Sequence, residues 1–316
     1  MIINATATFK LAYKKCIFLG LFIFAISPLQ AQQKPQYTQY MFNPMAINPS
    51  FMAMDEMLNI TVLGRSQWSG FEGAPNTQTV SMHTPYKTSN SFYGAILTRD
   101  NIGQVITETG GNLAFSRRVK IGDISWLAMG VNGGFSYYHA LYSQASQSSI
   151  GDQTFLDERN TRMNLGMGLV FFNKKYYWGV SSPHFYGRDI SDSRNANTAT
   201  AFRPHFLMQT GGIFKLAHDF KLRPSLLVKY VDGSPAQFDL NANLLIKELY
   251  WFGAAYRYQD SFSLLASAYI TPTILFGYAY DIPNFNNPNS ARKASHEIML
   301  QFRLPVKGRD PLACFF

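Results

Sequence analysis

The stretch Ala236–Leu244, AQFDLNANL, separates cleanly by parity. Ala236, Phe238, Leu240, Ala242 and Leu244 fall on one face of an extended chain, and Gln237, Asp239, Asn241 and Asn243 on the other. Successive side chains of a strand point to opposite faces, so the pattern predicts a strand with one apolar and one polar side. Upstream, LRPSLLVKYV (222–231) sets Leu222, Leu226, Val228 and Tyr230 against Arg223, Ser225 and Lys229, with Leu227 as an exception. The intervening DGSP reads as a turn. Downstream, TILFGYAY (273–280) sets Ile274, Phe276, Tyr278 and Tyr280 against Thr273, Gly277 and Ala279. SHEIMLQFRL (295–304) sets Ile298, Leu300, Phe302 and Leu304 against Glu297, Gln301 and Arg303.

A soluble sandwich would cover the apolar faces with a second sheet, whereas an outer-membrane barrel turns them to lipid and the polar faces to its lumen. Loop lengths separate the two. About 14 strands, an even number as bacterial barrels require, are expected to begin near Leu58, Asn76, Ser91, Thr107, Ile124, Thr161, Tyr176, Pro204, Leu222, Ala236, Leu249, Phe262, Thr273 and Ser295. The even-numbered connections (YKTSN, VKIGD, NKK, LAHDFK, IKE, ITP) are short. The odd-numbered ones include RSQWSGFEGAP and the long stretches 138–160, 182–203 and 281–294. A sandwich has no reason to keep that parity. The expected fold is therefore an all-β outer-membrane antiparallel barrel with short periplasmic turns and long extracellular loops. Tyr176, Tyr177, Trp178, Tyr250, Trp251, Tyr256 and Tyr258 fall near strand ends, as a headgroup-level aromatic girdle would.

Residues 1–31 read as a secretory signal peptide. Lys10, Lys14 and Lys15 precede an apolar run, Cys16–Ile26, too short to span a membrane, and SPLQA ends on Ala31. Removing it takes away three lysines and no acid from a formal net charge of +9. No Lys/Arg run reaches four residues, so the residual charge suits anionic surfaces and gives no reason to expect nucleic acid as a partner. Cys314 alone remains and can form no internal disulfide. No Cys/His set has metal-ligand spacing, and neither cofactor nor metal is expected. G-x-S-x-G, H-E-x-x-H, P-loop and dinucleotide-binding patterns are missing, and His83, His184, His205 and His296 are scattered, so catalysis is not expected. Asp152, Asp157 and Glu158 lack a calcium-loop pattern and read as a solvated loop.

Between the signal and the first strand lies YTQYMFNPMAINPSF, Tyr37–Phe51. Prolines after Asn43 and Asn48 remove donors and favour extended asparagines, which predicts a stiff chain that is neither helix nor regular strand. The organisation expected is signal peptide 1–31, an N-terminal periplasmic or plug segment 32–57, barrel 58–304 and tail 305–316. The rings of the segment should pack in the barrel mouth or on a partner. Tyr37, Tyr40, Phe42, Asn43, Pro44, Asn48, Pro49 and Phe51 are the candidate docking residues, with Trp68 and Phe71 as candidate extracellular-loop contacts.

The chain resembles the PorP/SprF family of type IX secretion system membrane proteins. QYTQYMFNPMAINPSF is similar to the family's opening motif and NITVLGRSQWSGFEGAPNTQTVSMHTPY to its next block. LRPSLLVKYVDGSPAQFDLNANLL, FGYAYDI and SHEIML are similar to its C-terminal blocks. The resemblance implies a non-enzymatic outer-membrane component that supports export or surface attachment of cargo. Its implied partners are the secretion machinery, outer-membrane lipid and a secreted protein, such as a large adhesin, with a C-terminal sorting domain; gliding motility is one setting. A passive porin-like channel is the alternative. The terminal Phe315-Phe316 expected to help barrel assembly lies beyond the last strand instead of within it.

Overall fold

The computed structural model describes residues 36–144, 157–189, 204–232, 234–285 and 293–309. The signal-peptide and terminal Phe-Phe readings, and Asp152, lie outside them. The strands are β1 (Met57–Ser66), β2 (Asn76–Pro85), β3 (Ser91–Ile102), β4 (Ile106–Ile121), β5 (Ser125–Ala140), β6 (Glu158–Phe172), β7 (Tyr176–Asp189) and β8 (His205–Gly212). Then follow β9 (Phe214–Ala217), β10 (Phe220–Val231), β11 (Gln237–Ile246), β12 (Tyr250–Arg257), β13 (Ser261–Thr271), β14 (Ile274–Pro283) and β15 (Ser295–Pro305). β8 and β9 both pair with β10 and form one stave interrupted at Ile213. Each stave is antiparallel to the next, and β15 closes onto β1 from Met57↔Pro305 to Ser66↔His296. The result is a closed barrel of 14 staves. Each begins within three residues of its expected start.

Facing follows the parity of the sequence. Asp239, Asn241 and Asn243 are buried in the lumen while Phe238 and Leu240 are exposed outside. On β15, Glu297 and Gln301 are buried and Ile298 and Leu304 are exposed. Leu113, Met129, Val131 and Phe252 extend the apolar exterior, and Ser116, Gln209, Arg223 and Ser263 the polar interior. An exterior that cannot be wetted without cost around an interior lined with polar side chains is the lipid-solvated arrangement.

One rim carries the connections 86–90, 122–124, 173–175, 218–219, 247–249 and 272–273. The other carries 67–75, 141–157, 190–204 and 284–294, together with 103–105, 232–236 and 258–260, which are as short as turns. β1 starts and β15 ends at the short-turn rim.

The N-terminal segment departs from expectation in its local structure. It contains two 3-10 helices, Pro44–Ala46 and Pro49–Met54. Each Asn-Pro step supplies an N-cap asparagine followed by proline at the first helical position, where no donor is needed. Asn48 takes the extended conformation that a following proline favours, φ −152° and ψ 113°, and accepts from the Ser50 amide. Of the two placements expected for the segment, the described residues take that of a plug. It runs through the lumen from Gln36, hydrogen-bonded to Gln237 near the long-loop rim, down to Glu56 at the short-turn rim. There the chain reverses into β1.

Candidate functional site

The site is the lumen with this segment in it. Residues 38–45 and 48–56 are all buried. The first lobe, Tyr40-Met41-Phe42, packs against Leu207, Leu227, Leu245, Trp251, Leu265, Leu275, Ala279 and Met299, which are contributed by β8 and β10–β15. Phe42 and Trp251 meet edge to face with centroids 5.8 Å apart. The second lobe, Met45 and Phe51–Met54, packs against Phe92, Ala114, Ala128, Val170, Phe172 and Tyr177 of β3–β7. Phe51 and Tyr177 meet edge to face at 5.4 Å. One short segment thus ties together opposite arcs of the wall. Such aromatic pairs add roughly 0.5–1.5 kcal/mol beyond the area they bury.

The wall satisfies the segment's backbone, as a buried irregular chain requires. Arg223 donates to the Met41 carbonyl at 2.8 Å, Gln301 to Phe42 at 2.7 Å, Ser181 to Ile47 at 2.7 Å and Arg118 to Ala53 at 2.9 Å. At the upper end the Glu297 carboxylate accepts from the amides of Thr38 and Gln39, each at 2.8 Å. Arg65 joins the same carboxylate at 3.1 Å and Asp281 at 2.6 Å, and the Thr38 hydroxyl donates to Asp281 at 2.9 Å. A buried charge cluster of this kind fixes position more than it adds stability. At the lower end Asp55 pairs with Arg303 at 3.3 Å and lies 3.6 Å from His83. Glu56 is held between Arg118 and Arg309.

Two wall glycines make the second lobe possible. A Cβ at Gly130 would stand 2.6 Å from the Pro49 carbonyl carbon and against the Ser50 backbone. One at Gly168 would collide with the Asn48 amide. Asn48 uses the space to donate to the carbonyls of Leu169 and Val180, at 3.2 and 3.3 Å, while its oxygen caps Ser50 at 2.9 Å. Below the first lobe, a cavity of about 420 Å3 borders Met57, Leu245, Trp251, Tyr269 and Arg303.

All eight candidate docking residues therefore sit in the lumen: Tyr40, Phe42, Asn43, Pro44, Asn48, Pro49 and Phe51 are buried there and Tyr37 is half-buried. Tyr37 bonds Thr79 at 2.7 Å, and Asn43 accepts from Ser81 at 2.9 Å. The wall covers the rings of Tyr40, Phe42 and Phe51. Trp68 and Phe71 lie elsewhere, exposed on the β1–β2 connection, which is joined to the end of the β14–β15 connection by Ser69 donating to Ala294 at 2.8 Å. Tyr177 and Trp251, expected in the girdle, instead face inward beneath Phe51 and Phe42. Parity could have found them, since their outward neighbours Tyr176, Trp178, Tyr250 and Phe252 leave only the lumen. The same holds for Leu227, whose break in the alternation is a contact with the first lobe. Among the histidines, His184 and His205 come together with ring centroids 6.0 Å apart, and His184 bonds Asn164 at 3.0 Å. His296 bonds Tyr278 at 2.6 Å. Among the described residues no group of three His, Cys, Asp or Glu is placed to hold a metal ion.

A closed barrel with a lipid-facing exterior and a lumen filled by its own leading segment defines an outer-membrane β-barrel protein of the plugged kind. The profile of the family described as type IX secretion system membrane protein PorP/SprF matches residues 29–302, so the chain belongs to that family. No curated protein matches it. Among solved structures it is similar to the outer membrane protein Omp33 of Acinetobacter baumannii, at 10% identity over 80% of this chain and 100% of that one, TM-score 0.45. It is also similar to the toluene transporter TbuX of Ralstonia pickettii, at 9% identity over 82% and 93%, TM-score 0.49. A third is the KdgM porin, at 8% identity over 77% and 98%, TM-score 0.36.

Proposed function

We propose that the protein is a non-enzymatic platform of the type IX secretion system, holding or guiding secreted cargo at the cell surface through its long loops. The cargo class is a secreted protein with a C-terminal sorting domain, such as a large adhesin. Membership of the family supplies the secretion context. The observation that carries the platform reading is the filled lumen, in which the segment 38–45 and 48–56 is buried against both arcs of the wall. A chain in transit would have to expel that segment, so cargo meets the barrel on its outer face. Trp68 and Phe71, large, exposed and on the long-loop rim, are the residue types that anchor interfaces.

The test is surface display of cargo in cells carrying Trp68→Ala/Phe71→Ala, with barrel assembly followed by heat-modifiable migration. The platform reading expects an assembled barrel with cargo lost from the surface. Full display with the pair removed would take these two residues out of the interface. A passive channel is the competing reading, and it expects the intact barrel to conduct.

A further inference from the structure

The short-turn rim carries an uneven share of the charge. Of the ten lysines from Lys87 onward, eight lie on or beside its turns or the β15 exit, while Lys229 lies in β10 and Lys293 near the opposite rim. Lys87, Lys120, Lys174, Lys175, Lys215 and Lys247 are all exposed, and none of them makes an ion pair among the described residues. The acids on these turns are fewer: Glu248 pairs with Lys221 at 2.6 Å, Asp219 bonds His218 at 2.7 Å, and Asp123 stands exposed on the turn 122–124.

Two further features say what such a ring faces. The lysines are spread over five of the six short turns and so surround the whole circumference. Beside them on the outer wall stand exposed rings: Tyr86 next to Lys87, Tyr176 next to Lys175, Phe214 next to Lys215, and Tyr250 past Lys247. Aromatic rings at this level sit among lipid headgroups, with the lysine ammonium groups in the same layer. A protein partner would cover one arc of the rim, whereas a leaflet borders all of it. We propose that the short-turn rim selectively binds anionic phospholipid headgroups in the periplasmic leaflet of the outer membrane.

The intact protein, reconstituted in phosphatidylcholine bilayers, can be probed with trace spin-labelled phosphatidylglycerol and, in parallel, spin-labelled phosphatidylcholine. The expected result is a motionally restricted phosphatidylglycerol fraction enriched roughly fivefold or more over phosphatidylcholine, falling as salt is raised. Replacing the six lysines by glutamine should abolish the preference, and replacing them by arginine should keep it. If the sixfold glutamine variant does not assemble, Lys174→Gln/Lys175→Gln alone should give a partial loss. Equal restriction of the two lipids by the unaltered protein would overturn the proposal, as would a preference untouched by salt and by lysine removal. Equal restriction combined with loss of cargo display in the lysine variant would assign the ring to an acidic protein instead. No cargo enters the lipid measurement, so its outcome is independent of the platform reading.

Discussion

The two lobes of the lumenal segment are recognised by opposite means. Around Tyr40-Met41-Phe42 the wall projects large side chains, Leu227, Leu265, Trp251 and Met299, into positions where a barrel lumen is otherwise polar. Around Pro49–Met54 the wall withdraws: Gly130, Gly168, Ala114 and Ala128 let the 3-10 helix come down on the sheet itself. Both stretches are hydrogen-bonded turns, with Phe42 donating to Gln39 and Asn43 to Tyr40 in the first and Phe51 donating to Asn48 in the second. The first is met by large side chains reaching toward it, whereas the second brings its backbone against wall glycines and needs room. The difference predicts that the first arc fails when atoms are removed and the second when atoms are added.

The path of the segment is the coarsest part of that comparison and has the largest expected effect. In a Cys314→Ser background, Gln36→Cys should react with a membrane-impermeant maleimide on intact cells, whereas Lys174→Cys should react only after permeabilisation. The reverse pattern would invert the direction in which the two lobes are threaded.

Next comes the asymmetry itself. Gly130→Leu should expel the second lobe, because the new side chain would occupy the site of the Pro49–Ser50 backbone, and should cost more than about 3 kcal/mol, the top of the ordinary overpacking range. Leu265→Ala should leave the first lobe seated and lower stability by about 2–5 kcal/mol. Limited proteolysis of the segment, beside denaturant unfolding in micelles, reads both effects. Equal protease exposure in the two variants would erase the distinction drawn here.

Truncating the anchors sharpens it further. Phe42→Ala and Phe51→Ala should each cost about 3–5 kcal/mol, and because the rings lie in separate clusters the double variant should lose close to the sum. Strong non-additivity would mean that the lobes seat as one unit.

The smallest effect is expected from acid. Burial pushes the Asp55 carboxyl up, but His83 and Arg303 together outweigh it and hold the group at about 2, below its ordinary 3.8. A depressed folded value means stability that is present above about pH 3.8 and lost as pH falls through about 2. The loss is on the order of 2 kcal/mol at the lower end of the segment. Asp55→Asn should flatten that part of the pH profile, and an unchanged profile would show that the carboxylate does not hold the lower end.

Strand number, facing and the two rims were legible because each rests on a period or a length that single residues report: Asn241 in and Leu240 out needs nothing but alternation. The segment was half legible. Its rings and Asn-Pro steps announced a packed, stiff element. Its place in the lumen depended on contacts such as Glu297 with Thr38, 259 residues apart, for which no local pattern exists. Aromatic β-propensity also masked the inward role of Tyr177 and Trp251, since the same residue types serve girdle and core. The pairing of Gly130 with Ser50 was invisible for a simpler reason: a glycine in a strand announces close approach but not what approaches.

The two lobes together close the lumen, and planar-bilayer recording tests that closure most directly. The intact barrel should be electrically silent, and the same barrel lacking Gln36–Met54 should conduct. Steady conductance through the intact protein, unchanged by the deletion, would contradict the account.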